Sequence, residues 1–207
     1  VIMAAVNMVA GRVPILAGTG SNSTAEALAL TQAAKEFGAD GALVVAPYYN
    51  KPTQAGIKDY YCAIAKVGLP VVLYDIPGRC GGSGVLAETI LELAHEGTIT
   101  GLKWASGNLD QLQEVLIHRP EGFTVLSGDD NLTFPAMCLG AEGVISVLAN
   151  LLPKEVAKLV VAMNTHHHEF GKKLHYRLLP LMRAMFIETN PIPITTAMAM
   201  VQPDVFQ

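Results

Sequence analysis

Short apolar runs alternate with amphipathic segments along the chain. The runs are rich in Val, Leu and Ile and begin at residues 14, 42, 71, 100, 124 and 144. Successive starts therefore lie 28, 29, 29, 24 and 20 residues apart, which is the length of one strand, one helix and two loops. Runs that are apolar without alternation are typical of parallel strands buried on both faces. The pattern predicts six β-α units in series, in a (β/α) barrel or an open doubly wound sheet.

The segments between the runs carry helix signals. Ser23 and Glu26 have the spacing of a capping box, and the apolar residues at positions 30, 33, 34 and 37 then follow a helical period up to Gly38. After the sixth run the pattern changes, and it predicts three helices over residues 154–164, 169–187 and 193–200 without strands between them. We therefore predict an α/β part over residues 1–152 and a C-terminal helical region over residues 153–207.

Composition and charge exclude several classes of protein. Of the 207 residues, 51% are hydrophobic and 15% are charged, so the chain can bury enough apolar surface to fold. The net charge of −4, without any long Lys or Arg run, argues against nucleic-acid binding. The mean hydropathy of +0.35 is high, but no uninterrupted apolar run reaches the roughly 18 to 20 residues of a membrane span. The remaining partners are small molecules or other subunits.

The N-terminus and the cysteines indicate the compartment. Residues 1–10 have no basic leader and no cleavage pattern after them, so they do not resemble a secretory signal. Cys62, Cys80 and Cys138 are widely and irregularly spaced, whereas a secreted domain more often has an even, closely spaced set. We therefore expect a cytoplasmic protein.

Lys103 is the most informative candidate for chemistry, because in parallel α/β folds active sites lie where the strands end. It sits inside an apolar run, residues 99–105. One interpretation is a structural lysine whose ammonium reaches water or a carboxylate. The other is an amine nucleophile, because desolvation lowers the pKa of a lysine and favours an imine with a carbonyl substrate. The pattern leaves both interpretations open.

Two further side chains could assist such a lysine. Tyr74 closes the preceding run, where it is either a core aromatic or a phenol that moves a proton to or from the imine. Arg79 follows a Pro-Gly turn and is either a solvated loop residue or an anchor for a substrate carboxylate. The Gly-Thr-Gly at positions 18–20 lacks the third glycine of a dinucleotide fingerprint. The three histidines at positions 166–168 point in different directions on a helix, which argues against a metal site.

Seven strings together resemble the dihydrodipicolinate synthase family, whose order and spacing they keep across essentially the whole chain. They are AGTGSNSTAE at 17–26, APYYNKP at 46–52, LYDIPGR at 73–79, GLK at 101–103, LSGDD at 126–130, GVISV at 143–147 and NPIP at 190–193. The family belongs to the pyruvate-dependent class I aldolases, which include N-acetylneuraminate lyase. The lyase branch lacks an arginine at the place of Arg79, so the arginine favours the synthase branch.

The resemblance implies a reaction between pyruvate and aspartate semialdehyde. In it Lys103 forms the imine, Tyr74 relays protons, Tyr49 reaches in from a neighbouring subunit and Arg79 anchors the carboxylate of aspartate semialdehyde. The other residues carried over by the resemblance are Gly128 and Ile145 at the pyruvate pocket, and Asn22, Glu26 and Tyr48 at a site for inhibitory lysine. It implies no metal and no organic cofactor, because the imine is itself the electron sink. It also implies a homotetramer built from dimers.

The resemblance further implies a TIM (β/α)8-type barrel in which the six runs match the third to the eighth strand. The first two strands, a loop with the threonines of the pyruvate site and the end of the C-terminal helical region are absent from this sequence. Trp104 stands where an acidic residue commonly follows the lysine. We therefore expect this chain by itself to have weak activity or none.

Two alternatives remain. The chain could be a related pyruvate aldolase that acts on a sugar acid or a hydroxy-oxoglutarate. It could also be a non-catalytic fragment that serves only in assembly.

Overall fold

The fold was obtained as a computed structural model, which describes residues 1–82 and 84–205. Over these residues the chain forms parallel strands that alternate with helices. The strands are β1 (Leu16–Gly18), β2 (Gly41–Val45), β3 (Val71–Asp75), β4 (Gly101–Trp104), β5 (Thr124–Ser127) and β6 (Gly143–Val144). Their order in the sheet is β1-β2-β3-β4-β5-β6, so each strand follows its predecessor in the chain. This confirms the predicted α/β class.

Helices connect and follow these strands. They are α1 (Ile2–Val9), α2 (Thr24–Glu36), α3 (Gln54–Ala65), α4 (Pro77–Cys80), α5 (Ala87–His95), α6 (Leu109–His118), α7 (Thr133–Leu139), α8 (Pro153–Asn164), α9 (His168–Ala184) and α10 (Ile192–Val201). The last three agree with the predicted C-terminal helices to within a few residues. The helix α1 was not predicted. None of its residues is buried, although most of its side chains are apolar.

The chain divides into two compact units, residues 1–125 and residues 126–207. The first two residues of β5 belong to the first unit and the last two to the second. The predicted boundary after residue 152 falls inside the second unit and stays a prediction.

In the first unit, burial differs between the two faces of the sheet. Leu73 and Asp75 of β3 are fully buried, whereas Tyr74 between them is only half-buried. The same alternation occurs in β4, where Leu102 and Trp104 are fully buried on either side of the half-buried Lys103. Successive side chains of a strand point to opposite faces. Tyr74 and Lys103 therefore share the less buried face of the sheet.

The buried face of α2 differs from the predicted one. Phe37 is exposed, and so is the leucine at position 30, whereas Ala27, Thr31 and Ala34 are buried. Thr31 is tolerated there because its hydroxyl lies 2.7 Å from the carbonyl oxygen of Ala27 and 2.9 Å from the hydroxyl of Thr19. The predicted burial of Leu30 and Phe37 was wrong, whereas the helix, its N-cap at Ser23 and the burial of Ala34 were predicted correctly.

The second unit has its own hydrophobic core, which α7, α8, α9 and α10 share. Its buried members are Met137, Leu148, Val156, Leu159, Met163, Leu174, Leu178, Met182, Met185 and Ile194. In the same unit β5 and β6 pair in parallel, with Leu126 opposite Gly143. This pairing brings the residues that follow β5 and β6 to the same edge of the sheet.

No helix in the described parts of the chain combines the length and the apolar character that crossing a membrane requires.

Candidate functional site

Tyr74 and Lys103 lie side by side at the ends of β3 and β4. They are register partners in the parallel ladder, one residue before the end of each strand. The Nζ atom of Lys103 lies over the Tyr74 ring, 3.8 Å from its centroid. The sheet thus brings the two central residues of the sequence prediction into direct contact.

A cavity of about 470 Å³ opens beside Tyr74 at the same ends of the strands. Its lining residues are Gly18, Gly20, Leu43, Val45, Tyr48, Tyr74, Ile76, Arg79 and Cys80. The ladder explains part of this set, because Gly18 is opposite Leu43 and Val45 is opposite Tyr74. A Cβ at Gly20 would overlap the backbone nitrogen of Val45, so only glycine lets the chain pass this close to β2. Arg79 and Tyr74, predicted separately from the sequence, line one cavity.

Arg79 is carried by the one-turn helix α4. Pro77 begins the helix, and Gly81 ends it in the left-handed conformation. Cys80, the neighbour of Arg79, is buried, and its thiol donates to the carbonyl oxygen of Ala46 at 3.2 Å. Burial is also the main reason why the pKa of this thiol is raised. Cys80 therefore ties α4 to the end of β2, while the side chain of Arg79 is exposed.

Asp75 lies next to Tyr74 but on the buried face of the sheet, and no pattern in the sequence marks it as a functional residue. Burial raises the pKa of its carboxyl group, and hydrogen bonds from Gln111 and from the Val85 amide act in the opposite direction. Neither the spacing nor the composition of the sequence signals this network, because Gln111 is 36 residues away in the chain.

Tyr48 and Tyr49 lie in the loop after β2 and differ in exposure. Tyr48 lines the cavity and has 39% of its surface exposed, whereas Tyr49 is 86% exposed. Tyr49 has φ of 73°, in the left-handed region that residues other than glycine seldom adopt. Within the described chain, Tyr49 is therefore held away from the protein's own surface.

Glu26 and Asn22 lie around Ser21 at the start of α2. The Ser21 hydroxyl donates to Glu26 Oε2 at 2.5 Å, and the Ser21 backbone nitrogen donates to the Tyr60 hydroxyl at 3.2 Å. Tyr60 in turn donates to the Ser21 carbonyl oxygen at 2.8 Å, and burial raises the pKa of Tyr60 to about 12. The carbonyl oxygen of Asn22 accepts from Asn50 at 3.0 Å. These bonds connect the loop before α2 to α3 and to the loop of Tyr48.

Gly128 and Ile145 belong to the second unit, where each lies just after a strand. The Ile145 amide donates to the Ser127 carbonyl oxygen at 2.8 Å, which continues the β5–β6 ladder. Asp130, which is almost fully buried, accepts from the amides of Val147 and Leu148 through Oδ2. The carboxylate thus holds the segment that follows Ile145.

Within residues 1–82 and 84–205, no group of three or more His, Cys, Asp or Glu side chains is arranged to hold a metal ion.

Comparisons with known proteins agree on one family. The model of the dihydrodipicolinate synthetase family matches residues 1–206. The 4-hydroxy-tetrahydrodipicolinate synthase of Methanospirillum hungatei is 49% identical over 188 residues, which make up 90% of this chain and 64% of that protein.

Solved structures give the same result. The crystal structure of dihydrodipicolinate synthase from Aquifex aeolicus has a TM-score of 0.94 at 46% identity, and the match covers 97% of this chain and 69% of that one. The chloride-inhibited dihydrodipicolinate synthase from Acinetobacter baumannii, complexed with pyruvate, has a TM-score of 0.94 at 39% identity, with 100% and 70% covered. The chain thus spans about two thirds of the length of the relatives that it matches. By its family model, its sequence identity and its fold, this chain belongs to the dihydrodipicolinate synthetase family.

Proposed function

We propose that this chain carries the imine-forming centre of a synthase that condenses pyruvate with aspartate semialdehyde to give 4-hydroxy-tetrahydrodipicolinate, in lysine and diaminopimelate biosynthesis. The observation that carries the proposal is the contact between Lys103 Nζ and Tyr74 at the strand ends, beside a cavity that Arg79 also lines. Members of the family are lyases of the class I aldolase type that form a Schiff base with a lysine.

The proposed reaction begins at Lys103. Its amine attacks the ketone carbon of pyruvate, and loss of water gives the imine. A methyl proton of the bound pyruvate then leaves, with Tyr74 as the proton relay, and the resulting enamine carbon attacks the aldehyde carbon of aspartate semialdehyde. The amino group of that substrate closes the ring and releases Lys103. No step requires a metal or an organic cofactor.

The substrate carboxylates give the remaining residues their proposed roles. Arg79 binds the carboxylate of aspartate semialdehyde, for which its planar pair of donors is suited. Gly128 and Ile145 line the pyruvate pocket in this proposal. Both roles are carried over from the family. Gly128 directly follows β5 and Ile145 directly follows β6, which supports their proposed role.

Borohydride trapping with pyruvate tests the proposal. We expect mass spectrometry to find a reduced pyruvyl adduct on Lys103 of the intact chain. Lys103→Arg keeps the positive charge and should abolish the adduct, whereas Lys66→Arg, at an exposed lysine after α3, should leave it unchanged. A folded wild-type chain in which Lys103 stays unmodified would contradict imine chemistry here.

A substrate panel separates the synthase from a related pyruvate aldolase. We expect aspartate semialdehyde to react with the pyruvate-loaded chain in preference to sugar-acid aldehydes and glyoxylate. Arg79→Ala should weaken the reaction with aspartate semialdehyde and leave pyruvate trapping unchanged. A preference for another aldehyde would favour the related aldolase, and a lack of any adduct would favour a non-catalytic fragment.

We also propose that the complete architecture is a (β/α)8 barrel, of which β1 to β6 are the third to the eighth strand. In this assignment residues 1–152 belong to the barrel and residues 153–207 to its C-terminal helical region. The share of the relatives' length that the chain spans supports the assignment. Joining the corresponding N-terminal segment of the Aquifex aeolicus relative to this chain should raise its rate of pyruvate methyl-proton exchange, and an unchanged rate would contradict it.

The proposed assembly is a homotetramer made of dimers, in which Tyr49 reaches the active site of a neighbouring subunit. The high exposure of Tyr49 supports this role. We expect sedimentation to give an oligomer, and Tyr49→Ala to lower methyl-proton exchange in the oligomer without unfolding the chain. A fully active monomer would contradict the role of Tyr49.

Asn22, Glu26 and Tyr48 are proposed to bind inhibitory lysine. The bonds around Ser21 bring the first two residues near the loop of Tyr48, which supports a common site. Calorimetric titration with lysine tests the proposal, and Glu26→Gln should weaken the binding while Glu36→Gln, at the other end of α2, should not. The proposed compartment is the cytoplasm, which the free thiols of Cys62 and Cys138 support.

A further inference from the structure

The segment that carries Arg79 leaves the sheet at Asp75 and is tied down again at Val85. Asp75 Oδ1 accepts from the Val85 backbone nitrogen at 3.0 Å. Gln111 of α6 donates from Nε2 to the Val85 carbonyl oxygen at 2.6 Å and to Asp75 Oδ2 at 3.0 Å. Both backbone groups of Val85 are therefore held by two side chains from different elements.

A third side chain holds the residues on either side of Val85. Gln54, the first residue of α3, donates from Nε2 to the Gly84 carbonyl oxygen at 3.0 Å and accepts at Oε1 from the Leu86 backbone nitrogen at 3.1 Å. The three residues 84–86 thus take part in four hydrogen bonds with the side chains of Asp75, Gln54 and Gln111. We call these three side chains the loop clamp.

The loop clamp has little freedom to rearrange. Asp75 is fully buried, and both of its carboxylate oxygens accept hydrogen bonds. The Gln111 amide cannot flip without loss, because its Oε1 accepts from the Ser106 hydroxyl at 2.5 Å while its Nε2 donates twice. Gly84 has φ of 80°, and a Cβ there would lie 3.0 Å from Asp75 Oδ1. The close approach of backbone to carboxylate therefore requires glycine.

The clamp acts on the segment that begins with the active-site residues. Asp75 follows Tyr74 directly, and Arg79 lies between Asp75 and the clamped residues. The Asp75 carbonyl oxygen also accepts from the Ala105 amide at 2.9 Å, just past Lys103 and Trp104. The thiol of Cys80 holds the middle of this segment, and the bonds to residues 84–86 fasten its far end, so both contribute to the position of the Arg79 backbone.

We propose that Asp75 and Gln111, with Gln54, are positioning residues that fix the Arg79 segment and so determine the affinity for the carboxylate of the second substrate. The effect on affinity rests on the proposed function, in which Arg79 binds aspartate semialdehyde. The fastening of the segment does not rest on it. The two parts can be measured separately.

Backbone amide exchange tests the fastening. In Gln111→Ala, exchange at Val85 and Leu86 is expected to become about three- to tenfold faster, which corresponds to the loss of one or two hydrogen bonds. Gln113→Ala is the matched control, because Gln113 lies on the same helix, is exposed and donates to the Leu109 carbonyl oxygen within α6. Gln54→Ala serves as a second variant, since it removes the clamp from the side of α3 if Gln111→Ala does not fold.

Calorimetry tests whether the clamp affects the affinity for aspartate semialdehyde. Aspartate semialdehyde is titrated into chains whose Lys103 has been reduced onto pyruvate, with Arg79→Ala as the reference for a lost anchor. In Gln111→Ala the dissociation constant is expected to rise about three- to tenfold, while the yield of the pyruvate adduct stays within about twofold of wild type. General damage to the fold would lower both, so a fall in adduct yield that parallels the loss of affinity would overturn the proposal.

The remaining outcomes are distinct. Unchanged exchange at Val85 in folded Gln111→Ala and Gln54→Ala would overturn the clamp. Faster exchange with an unchanged affinity for aspartate semialdehyde would overturn its role in positioning Arg79. If even the wild-type chain forms no adduct with pyruvate, the proposed function fails, and amide exchange alone then decides whether the clamp fastens the segment.

Discussion

The ammonium group of Lys103 lies over the face of the Tyr74 ring, with Nζ 3.8 Å from the ring centroid. A cation at this place is attracted by the ring quadrupole, by roughly 0.5–2 kcal/mol. Tyr74 can therefore act on Lys103 in two ways, through the ring face that contacts the amine and through a hydroxyl that can move protons. The ring contact stabilises the protonated amine, so it assists imine formation only by positioning Lys103, whereas the hydroxyl acts in the loss of the methyl proton.

Substitution at Tyr74 separates these contributions. Tyr74→Phe keeps the ring, so we expect the yield of the borohydride-trapped pyruvate adduct to stay near that of wild type. The same variant lacks the proton relay and should slow deuterium exchange into the pyruvate methyl group by about 10²-fold or more. Nuclear magnetic resonance of pyruvate in D₂O measures this exchange.

Tyr74→Ala should lower both the trapping yield and the exchange rate, since it removes the ring as well. Tyr176→Phe removes the hydroxyl of an exposed tyrosine on α9 and should change neither quantity, so it serves as the control. Methyl exchange in Tyr74→Phe at the wild-type rate would show that another group moves the proton.

Two glycines of the cavity provide a second prediction. A Cβ at Gly20 would overlap the backbone nitrogen of Val45 and lie 2.7 Å from its Cγ1, whereas a Cβ at Gly18 would meet nothing within 4 Å. Gly20→Ala should lower the free energy of unfolding by about 1–3 kcal/mol, as overpacking does. Gly18→Ala should change it by less than about 1 kcal/mol. Urea unfolding measures both, and equal effects would mean that the chain at Gly20 can move away from β2.

The sequence predicted the strands and the C-terminal helices well because both are set by local patterns. The run that begins at Val71 coincides with β3. Its first three residues are aliphatic, and Tyr74 and Asp75 follow them. The third predicted strand therefore placed Tyr74 correctly near a strand end. The contact between Tyr74 and Lys103 follows from the parallel pairing of β3 with β4. Exact pairing register, by contrast, depends on tertiary packing and could not be predicted from periodicity.

The errors came where polar groups satisfy each other across the fold. On α2, Thr31 is buried although Leu30 was predicted to be. The Thr31 hydroxyl has hydrogen-bond partners at this position, and a pattern of apolar residues cannot indicate such bonds. The loop clamp was missed for the same reason, since Gln54 and Gln111 look like ordinary surface residues in the sequence. Hydrogen bonds between residues far apart in the chain produce no periodic pattern in the sequence.

Trp104 is a case in which strand geometry resolves a question left by the sequence. It follows Lys103 directly, but adjacent side chains of a strand point to opposite faces. Trp104 is fully buried and is the register partner of Asp75, whereas Lys103 is half-buried beside Tyr74. Trp104 therefore belongs to the core, and the electrostatic surroundings of the lysine amine are set on the other face.

Substitutions at Trp104 follow from this placement. Trp104→Phe should cost about 1–2 kcal/mol of unfolding free energy, since it removes part of a large core side chain together with an indole nitrogen that has no hydrogen-bond partner within the described chain. Trp104→Glu should cost more than about 3 kcal/mol, because it buries a second carboxylate opposite Asp75. Urea denaturation checks both values, and a Trp104→Glu variant as stable as Trp104→Phe would show that this face admits water.

His175 makes the stability of the second unit depend on pH. The side chain is only 7% exposed, its Nδ1 has no hydrogen-bond partner among the described residues, and its ring stacks on Phe134 with centroids 5.4 Å apart. Burial lowers the pKa of His175, and the nearby charge of Arg183 lowers it further. The folded chain therefore takes up a proton at His175 less readily than the unfolded chain.

The sign of the pH effect follows from linkage. Above the unfolded pKa of about 6.5 both states are neutral at this position, so His175 adds no pH dependence there. As the pH falls below about 6.5, the unfolded chain binds the proton first and the free energy of unfolding decreases, until the pH passes the lowered pKa of the folded state. Urea midpoints at about pH 7.5 and about pH 5.5 should show this decrease. His175→Phe, which keeps the stacking on Phe134, should reduce it, whereas His168→Gln, at an exposed histidine, should not. An equal decrease in wild type and His175→Phe would assign the acid sensitivity to other groups.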